Sequence, residues 1–193
     1  MWLAYTKELC EVLSQLAVTD GTGLAVDAGT AFSRWTDMAV GLDRNASIFL
    51  IGNGASASMA SHFSADITKN CGIRASVFTD CSLITALGND EGFENAFAVA
   101  IGRYGREGDL MVAISSSGNS PNVLRACDEC RRIGVSIVTL SGKQPDNNLR
   151  RRGDLNFYIP GRNYSLAESA HGVIMHHWID RLESVFRSGQ SCT

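Results

Sequence analysis

The chain has 193 residues, 45% of them apolar and 19% charged, with a formal net charge of −3. That length supports one sizeable core, and the slight acidic excess argues against a nucleic-acid surface, which shows a basic excess or stripe. No apolar run approaches a membrane span, and charge enters the N-terminus too early for a signal peptide, since Lys7 and Glu8 follow Met1–Thr6. A cytoplasmic protein with no membrane partner is expected.

Leu3, Leu9, Val12, Leu13 and Leu16 recur at helical spacing until Asp20-Gly-Thr-Gly23 interrupts them. A second helical pattern, Val26 to Leu42, carries Ala31, Phe32, Trp35 and Val40. These residues, 1–45, contain no evident chemistry and read as a helical oligomerisation arm. Trp2, Leu3, Trp35 and Met38 offer more apolar surface than one sheet face needs, which points to a homo-oligomer.

From residue 46 to 193 the chain alternates. Strands are expected at Ser47–Ile51, Ala75–Phe78, Leu110–Ile114, Val135–Leu140 and Leu155–Ile159. Helices are expected at Ala55–Thr68, Phe93–Tyr104, Val123–Arg132 and Leu166–Phe186. Short apolar strands alternating with helices predict an α/β three-layer sandwich around a five-stranded parallel sheet, flavodoxin-like or Rossmann-like, with the helical pair added. Ligands of such sheets bind beyond the carboxyl ends of the strands.

Two loops fall there. Ser115-Ser-Ser-Gly-Asn-Ser120 ends a strand and opens a helix with Pro121 in its first turn. Ser115, Ser116, Ser117 and Ser120 supply hydroxyls, Gly118 allows close approach, and the helix dipole favours an anion. Capping explains one serine but not four, so a phosphate is the expected guest. The other loop, Gly52-Asn-Gly-Ala-Ser-Ala57, matches the dinucleotide pattern, but no acidic residue follows at the distance a ribose contact needs. Asn53 and Ser56 read better as polar contacts to a hydroxylated ligand.

All four histidines, 62, 171, 176 and 177, lie on two predicted helices. His62 and Asp66 share a helix face, while Glu168 and His176 sit about 12 Å apart along an ideal helix. Two imidazoles and two carboxylates suit a zinc-type ion. Ordinary pairs, Asp66 with His62 and Glu168 with His171, explain the same spacing, and both readings stand at this point. His177 points about 100° away from His176 and reads as structural. Six scattered cysteines form no framework; Cys127 and Cys130 have C-x-x-C spacing but lie within a helix, so plain thiols in a reducing compartment are expected. Arg150-Arg-Arg152 reads as solvated surface or a substrate-side rim.

Taken together, several motifs resemble the phosphoheptose isomerase family of sugar isomerase (SIS) domains. They are Gly52-Asn-Gly-Ala-Ser56, His62-Phe63, Asp80-Cys-Ser82, Gly88-Asn-Asp90 with Gly92-Phe93, Arg106-Glu-Gly-Asp109, Ser115–Asn122, and Glu168 with His171 and His176. The resemblance implies an aldose–ketose isomerase that converts sedoheptulose 7-phosphate to D-glycero-D-manno-heptose 7-phosphate, as a tetramer with sites between subunits; the alternatives are an isomerase of another sugar phosphate and a non-catalytic SIS-domain protein that binds a sugar phosphate in a regulatory role. It implies phosphate on Ser115, Ser116, Ser117 and Ser120, and the sugar on Asn53, Ser56, Asp90 and Glu168. Asp66 and His176 become the acid/base pair, and one zinc per subunit falls to His62, Asp66, Glu168 and His176. The chain departs from the family's pattern where Asp66 replaces glutamate, Glu168 replaces glutamine, Ala55 replaces glycine and Ser165 replaces aspartate.

Overall fold

A computed structural model describes residues 1–190. Five strands form the parallel centre of one sheet: β3 (Ser47–Gly52), β4 (Arg74–Ser76), β5 (Leu110–Ser115), β6 (Ser136–Gly142) and β7 (Leu155–Ile159). Every residue of β3, β5 and β7 is buried, as strands covered by helices on both faces must be.

The sheet is wider than the sequence pattern suggests. A hairpin of β1 (Ala17–Asp20) and β2 (Ala25–Val26) extends it, giving the order β2-β1-β7-β6-β5-β3-β4. Strand β1 runs antiparallel to β7, with Val18 opposite Phe157. The Asp20-Gly-Thr-Gly23 segment, expected to separate two helices, is the hairpin turn. Asp20 Oδ1 accepts the backbone N–H groups of Thr22 and Leu24, and Gly23 takes φ 87°, a conformation that favours glycine.

Helices α1 (Trp2–Ser14) and α2 (Ala28–Val40) flank that hairpin. They are not an arm apart from the α/β layer. Phe32, Trp35 and Val12 belong to the same apolar core as β3, β5, β6 and β7. Trp35 is fully buried and stacks on Trp178 with 4.1 Å between ring centroids. It therefore serves the core and not an oligomer surface, whereas Trp2 and Leu3 remain exposed. Asp27 caps α2 by accepting from the Thr30 N–H.

The remaining helices are α3 (Ala55–Cys71), α4 (Cys81–Leu87), α5 (Ala96–Tyr104), α6 (Pro121–Ile133) and α7 (Tyr164–Gln190). α1, α2, α3 and α7 cover one face of the sheet, and α5 and α6 pack on the other. Asp80 caps α4, which runs into a single π-type turn at Gly88–Gly92. Neither α4 nor that turn was anticipated, because Asp80–Asp90 shows no sustained apolar period.

At the base of the sheet, buried Asp109 ties two elements together. Its Oδ1 accepts the N–H of Ser47 and its Oδ2 that of Arg106. The Cys127 and Cys130 thiols are buried, and burial pushes Cys127 up to about 12. Such thiols are inert, in keeping with structural roles.

Candidate active site

The two glycine- and serine-containing loops meet at the carboxyl edge of β3 and β5. They enclose a cavity of about 270 Å³ lined by Asn53–Ser56, Ile114–Ser117, Ser120, Tyr164 and Glu168. A larger cavity of about 580 Å³ lies at the opposite edge, among Gly41–Ala46 and Arg106–Gly108. That edge holds the amino ends of the strands, where ligands of parallel sheets do not bind.

The serine loop converges on one point. Ser115 Oγ lies 3.5 Å from Ser117 Oγ and 3.3 Å from Ser120 Oγ. Ser116 Oγ is buried without a hydrogen-bond partner. A buried hydroxyl left unpaired is costly unless a ligand satisfies it. Gly118 takes φ 64°, and a Cβ there would run into the Asn147 side-chain amide. Asn147, itself buried, donates from Nδ2 to the carbonyls of Gly142 and Gln144, and the Leu149 N–H donates to the Gly118 carbonyl. The 3-10 turn at Asn148–Arg151 thus backs the loop, while none of Arg150, Arg151 and Arg152 lines the cavity. Arg150 stacks on Tyr158 at 4.3 Å, and Arg152 pairs with Asp128.

Asn53 reaches across to the other loop. Its Nδ2 donates to Asn122 Oδ1 and Asn122 Nδ2 donates back, both at 2.9 Å. Gly52 is required beside it, because a Cβ would lie 2.7 Å from Ser56 Cβ and 2.9 Å from the Ile114 carbonyl oxygen.

Six residues beyond Ser56 on α3, about 9 Å along an ideal helix, a second cluster forms. His62 Nε2 lies 3.3 Å from Asp66 Oδ2. The His176 ring on α7 is 5.8 Å from that of His62, centroid to centroid, and packs edge-on against Phe63. One donor atom from each of His62, Asp66 and His176 falls within 4.8 Å of the others. This is a three-donor set of the type a divalent cation accepts.

Two expected residues are placed elsewhere. Glu168, eight positions before His176 on α7, does not join the three donors as a metal ligand; it lines the serine cavity, where a substrate contact is also expected of it. Asp90 lies exposed on the π-type turn, accepts from Asn89 Nδ2, and does not line the cavity. His177 packs edge-on against Phe32 at 4.6 Å. His171 is fully buried, and neither ring nitrogen meets a partner in hydrogen-bonding geometry. Burial pulls it down to about 4, with the Ser141 backbone working the other way.

Asn122 and Asn147 are the site residues that pattern reading passes over. Asn122 had a signal, being adjacent to Pro121 within the serine motif, whereas Asn147 sits in a polar loop with none.

Known proteins are similar to this chain in sequence and in fold. The SIS domain profile matches residues 5–142. The phosphoheptose isomerase of Citrifermentans bemidjiense is 30% identical over 93% of both chains. That of Fusobacterium nucleatum is 35% identical over 72% of this chain and 73% of its own. Among solved structures, the phosphoheptose isomerase GmhA from Neisseria gonorrhoeae superposes with a TM-score of 0.78 at 25% identity, covering 94% of this chain and 96% of that one. A phosphoheptose isomerase from Francisella tularensis shares the fold at TM-score 0.80 and 22% identity, covering 94% and 95%. The matching profile and a relative that aligns over 93% of both chains lead to one conclusion: the chain belongs to the phosphoheptose isomerase family of SIS-domain proteins.

Proposed function

We propose that the protein is an aldose–ketose isomerase that interconverts sedoheptulose 7-phosphate and D-glycero-D-manno-heptose 7-phosphate through an enediol. One observation carries the reading. Helices α3 and α7 each contribute both to the serine cavity and to the His62, Asp66 and His176 cluster. Phosphate recognition and proton-transfer groups are thereby held at a fixed separation, which an extended sugar phosphate can span.

In this scheme Ser115, Ser116, Ser117 and Ser120 bind the phosphate and set the register of the sugar. Asn53, Ser56 and Glu168 contact its hydroxyls. His176 moves the proton between the two reacting carbons. Asp66 assists the proton that moves between the oxygens. Zinc would be held by His62, Asp66 and His176 and would supply Lewis-acid stabilisation to the oxygen that gains charge; with zinc bound, the ionisation of Asp66 and His176 would be coupled to the ion, and neither would carry a proton independently of it. Asp66 is one methylene shorter than the family's glutamate, so its reach is the feature most relevant to sugar choice.

The exposed positions of His62 and His176, together with exposed Trp2, Leu3 and Val173, support a homotetramer whose subunits cover this face. Five free thiols among the described residues suit the reducing cytoplasm, and no described helix is long and apolar enough to cross a membrane.

The test is a screen of ketose phosphates for aldose product, with and without a chelator. Turnover of sedoheptulose 7-phosphate above shorter ketose phosphates is the expected result. Preference for a shorter sugar overturns the substrate, and no isomerisation of any ketose phosphate overturns the activity. Light scattering that shows a monomer at micromolar concentration overturns the tetramer.

A further inference from the structure

The serine cavity has an unbalanced charge. No lysine or arginine lines it, yet Glu168 does. A phosphate monoester brings between one and two further negative charges near neutral pH, by the ionisation behaviour of such groups, about −1.5 to −2. The N-terminus of α6 offsets only about half a unit charge.

A cation stands at the rim. Lys143 follows the last residue of β6 at the carboxyl edge of the sheet. Its ammonium sits 3.9 Å from the centroid of the Tyr164 ring, and Tyr164 lines the cavity. Among the described residues Lys143 is the one non-glycine with positive φ, at 61°. Side chains adopt that conformation only where the surroundings impose it, and such positions cluster at ligand sites. Here the surroundings are clear. The Lys143 carbonyl accepts from Tyr158 Oη at 2.8 Å, and Asn147 holds the carbonyls of Gly142 and Gln144 on either side. Gly142 packs so closely that a Cβ there would lie 3.2 Å from the Ser116 carbonyl oxygen. No ion pair engages Lys143 among the described residues; its ammonium rests on an aromatic face, a contact it can leave at small cost.

We propose that Lys143 is a substrate-binding residue that supplies the cation missing from the phosphate cradle, with Tyr164 holding its ammonium at the entrance. The pinned backbone aims the side chain at the rim, and the ring keeps it there unpaired until a dianion arrives. This assignment rests on the phosphate reading of the serine loop.

Lys143→Gly tests it cleanly, because glycine suits φ 61° and removes only the charge and its stem. Lys143→Arg keeps both the charge and the backbone constraint. Inorganic phosphate is titrated calorimetrically into the full-length wild type and both variants, alongside thermal unfolding. Lys143→Gly is expected to fold at least as stably as wild type and to bind phosphate about three- to tenfold more weakly, the range for a partly solvated charge. Lys143→Arg is expected to keep wild-type affinity, and the salt dependence of binding is expected to shrink only in Lys143→Gly. Equal phosphate affinity in wild type and Lys143→Gly overturns the role of Lys143. A wild type that binds no phosphate overturns the cradle itself.

Discussion

Asn53 and Asn122 form a reciprocal amide pair, Nδ2 to Oδ1 at 2.9 Å in each direction, joining the loop after β3 to the first turn of α6. Asn122 Oδ1 also accepts the Val123 N–H, a donor whose identity is fixed, so both amides are oriented without ambiguity. The pair sets the spacing between the sugar-side loop and the phosphate-side loop.

Asn122→Ala is therefore expected to raise KM for the sugar phosphate and to cost about 1–3 kcal/mol of stability through the donors it strands. In an Asn53→Ala background the same substitution is expected to change KM little further, because its effect runs through Asn53. Additive KM effects in this double-mutant cycle would show that Asn122 acts independently.

Gly118→Ala tests the cradle's geometry. The added Cβ meets the Asn147 amide at a backbone angle that already strains alanine, so a loss of about 2 kcal/mol or more is expected. Phosphate affinity is expected to fall with it, because the loop must move away from Ser116. Thermal unfolding and phosphate titration measure the two effects separately. Ser117→Ala and Ser120→Ala, which leave the backbone intact, are expected to weaken binding by about 1.5–3 kcal/mol each with little change in unfolding temperature.

The three-donor cluster makes a different prediction. His62→Ala is expected to abolish stoichiometric zinc binding, measured by elemental analysis after metal titration. His176→Ala is expected to lower kcat by at least about 10²-fold, the lower end for general acid–base catalysis, while phosphate binding is retained. Near-normal turnover in that variant would move the proton transfer to another residue.

His171 links the site's helix to pH. Its folded-state pKa lies below the unfolded value of 6.5, at about 4, because burial disfavours the imidazolium. The unfolded chain then binds the extra proton first, so stability is full above about pH 6.5 and is lost as pH falls toward 4. Between pH 6.5 and about pH 5 the loss from this residue is about 2 kcal/mol. His171→Leu is expected to flatten that part of the pH–stability curve, as read by urea unfolding at both pH values. An unchanged slope would mean that the imidazole finds a proton acceptor.

The sequence reveals the parallel centre of the fold well, because β3 and β5 are apolar runs bounded by glycine, serine and charge, and β7 is broken only by Asn156. It reveals the cradle for a similar reason, as four hydroxyls and a glycine at one strand end are hard to explain otherwise. The hairpin is harder to see. Its strands have four and two residues, too short for a period, and their pairing partner β7 lies far along the chain. Glu168 shows a second limit: spacing places it on the face of α7 near His176, but only the packing of α7 against the serine loop decides which cluster it joins. Asn147 shows a third, since its importance comes from touching Gly118, a contact that no local pattern encodes.

The widened sheet also governs how the molecule can associate with others. Its two borders are β2, with two residues, and β4, with three, of which Arg74 and Ser76 are exposed. A foreign strand laid along either border would gain only two or three residues of ladder pairing, and on one side it would meet a guanidinium. Short, charged borders of this kind suppress edge-to-edge growth. Any self-association is thereby left to helical surfaces, where copies would meet without a continuous cross-molecule sheet.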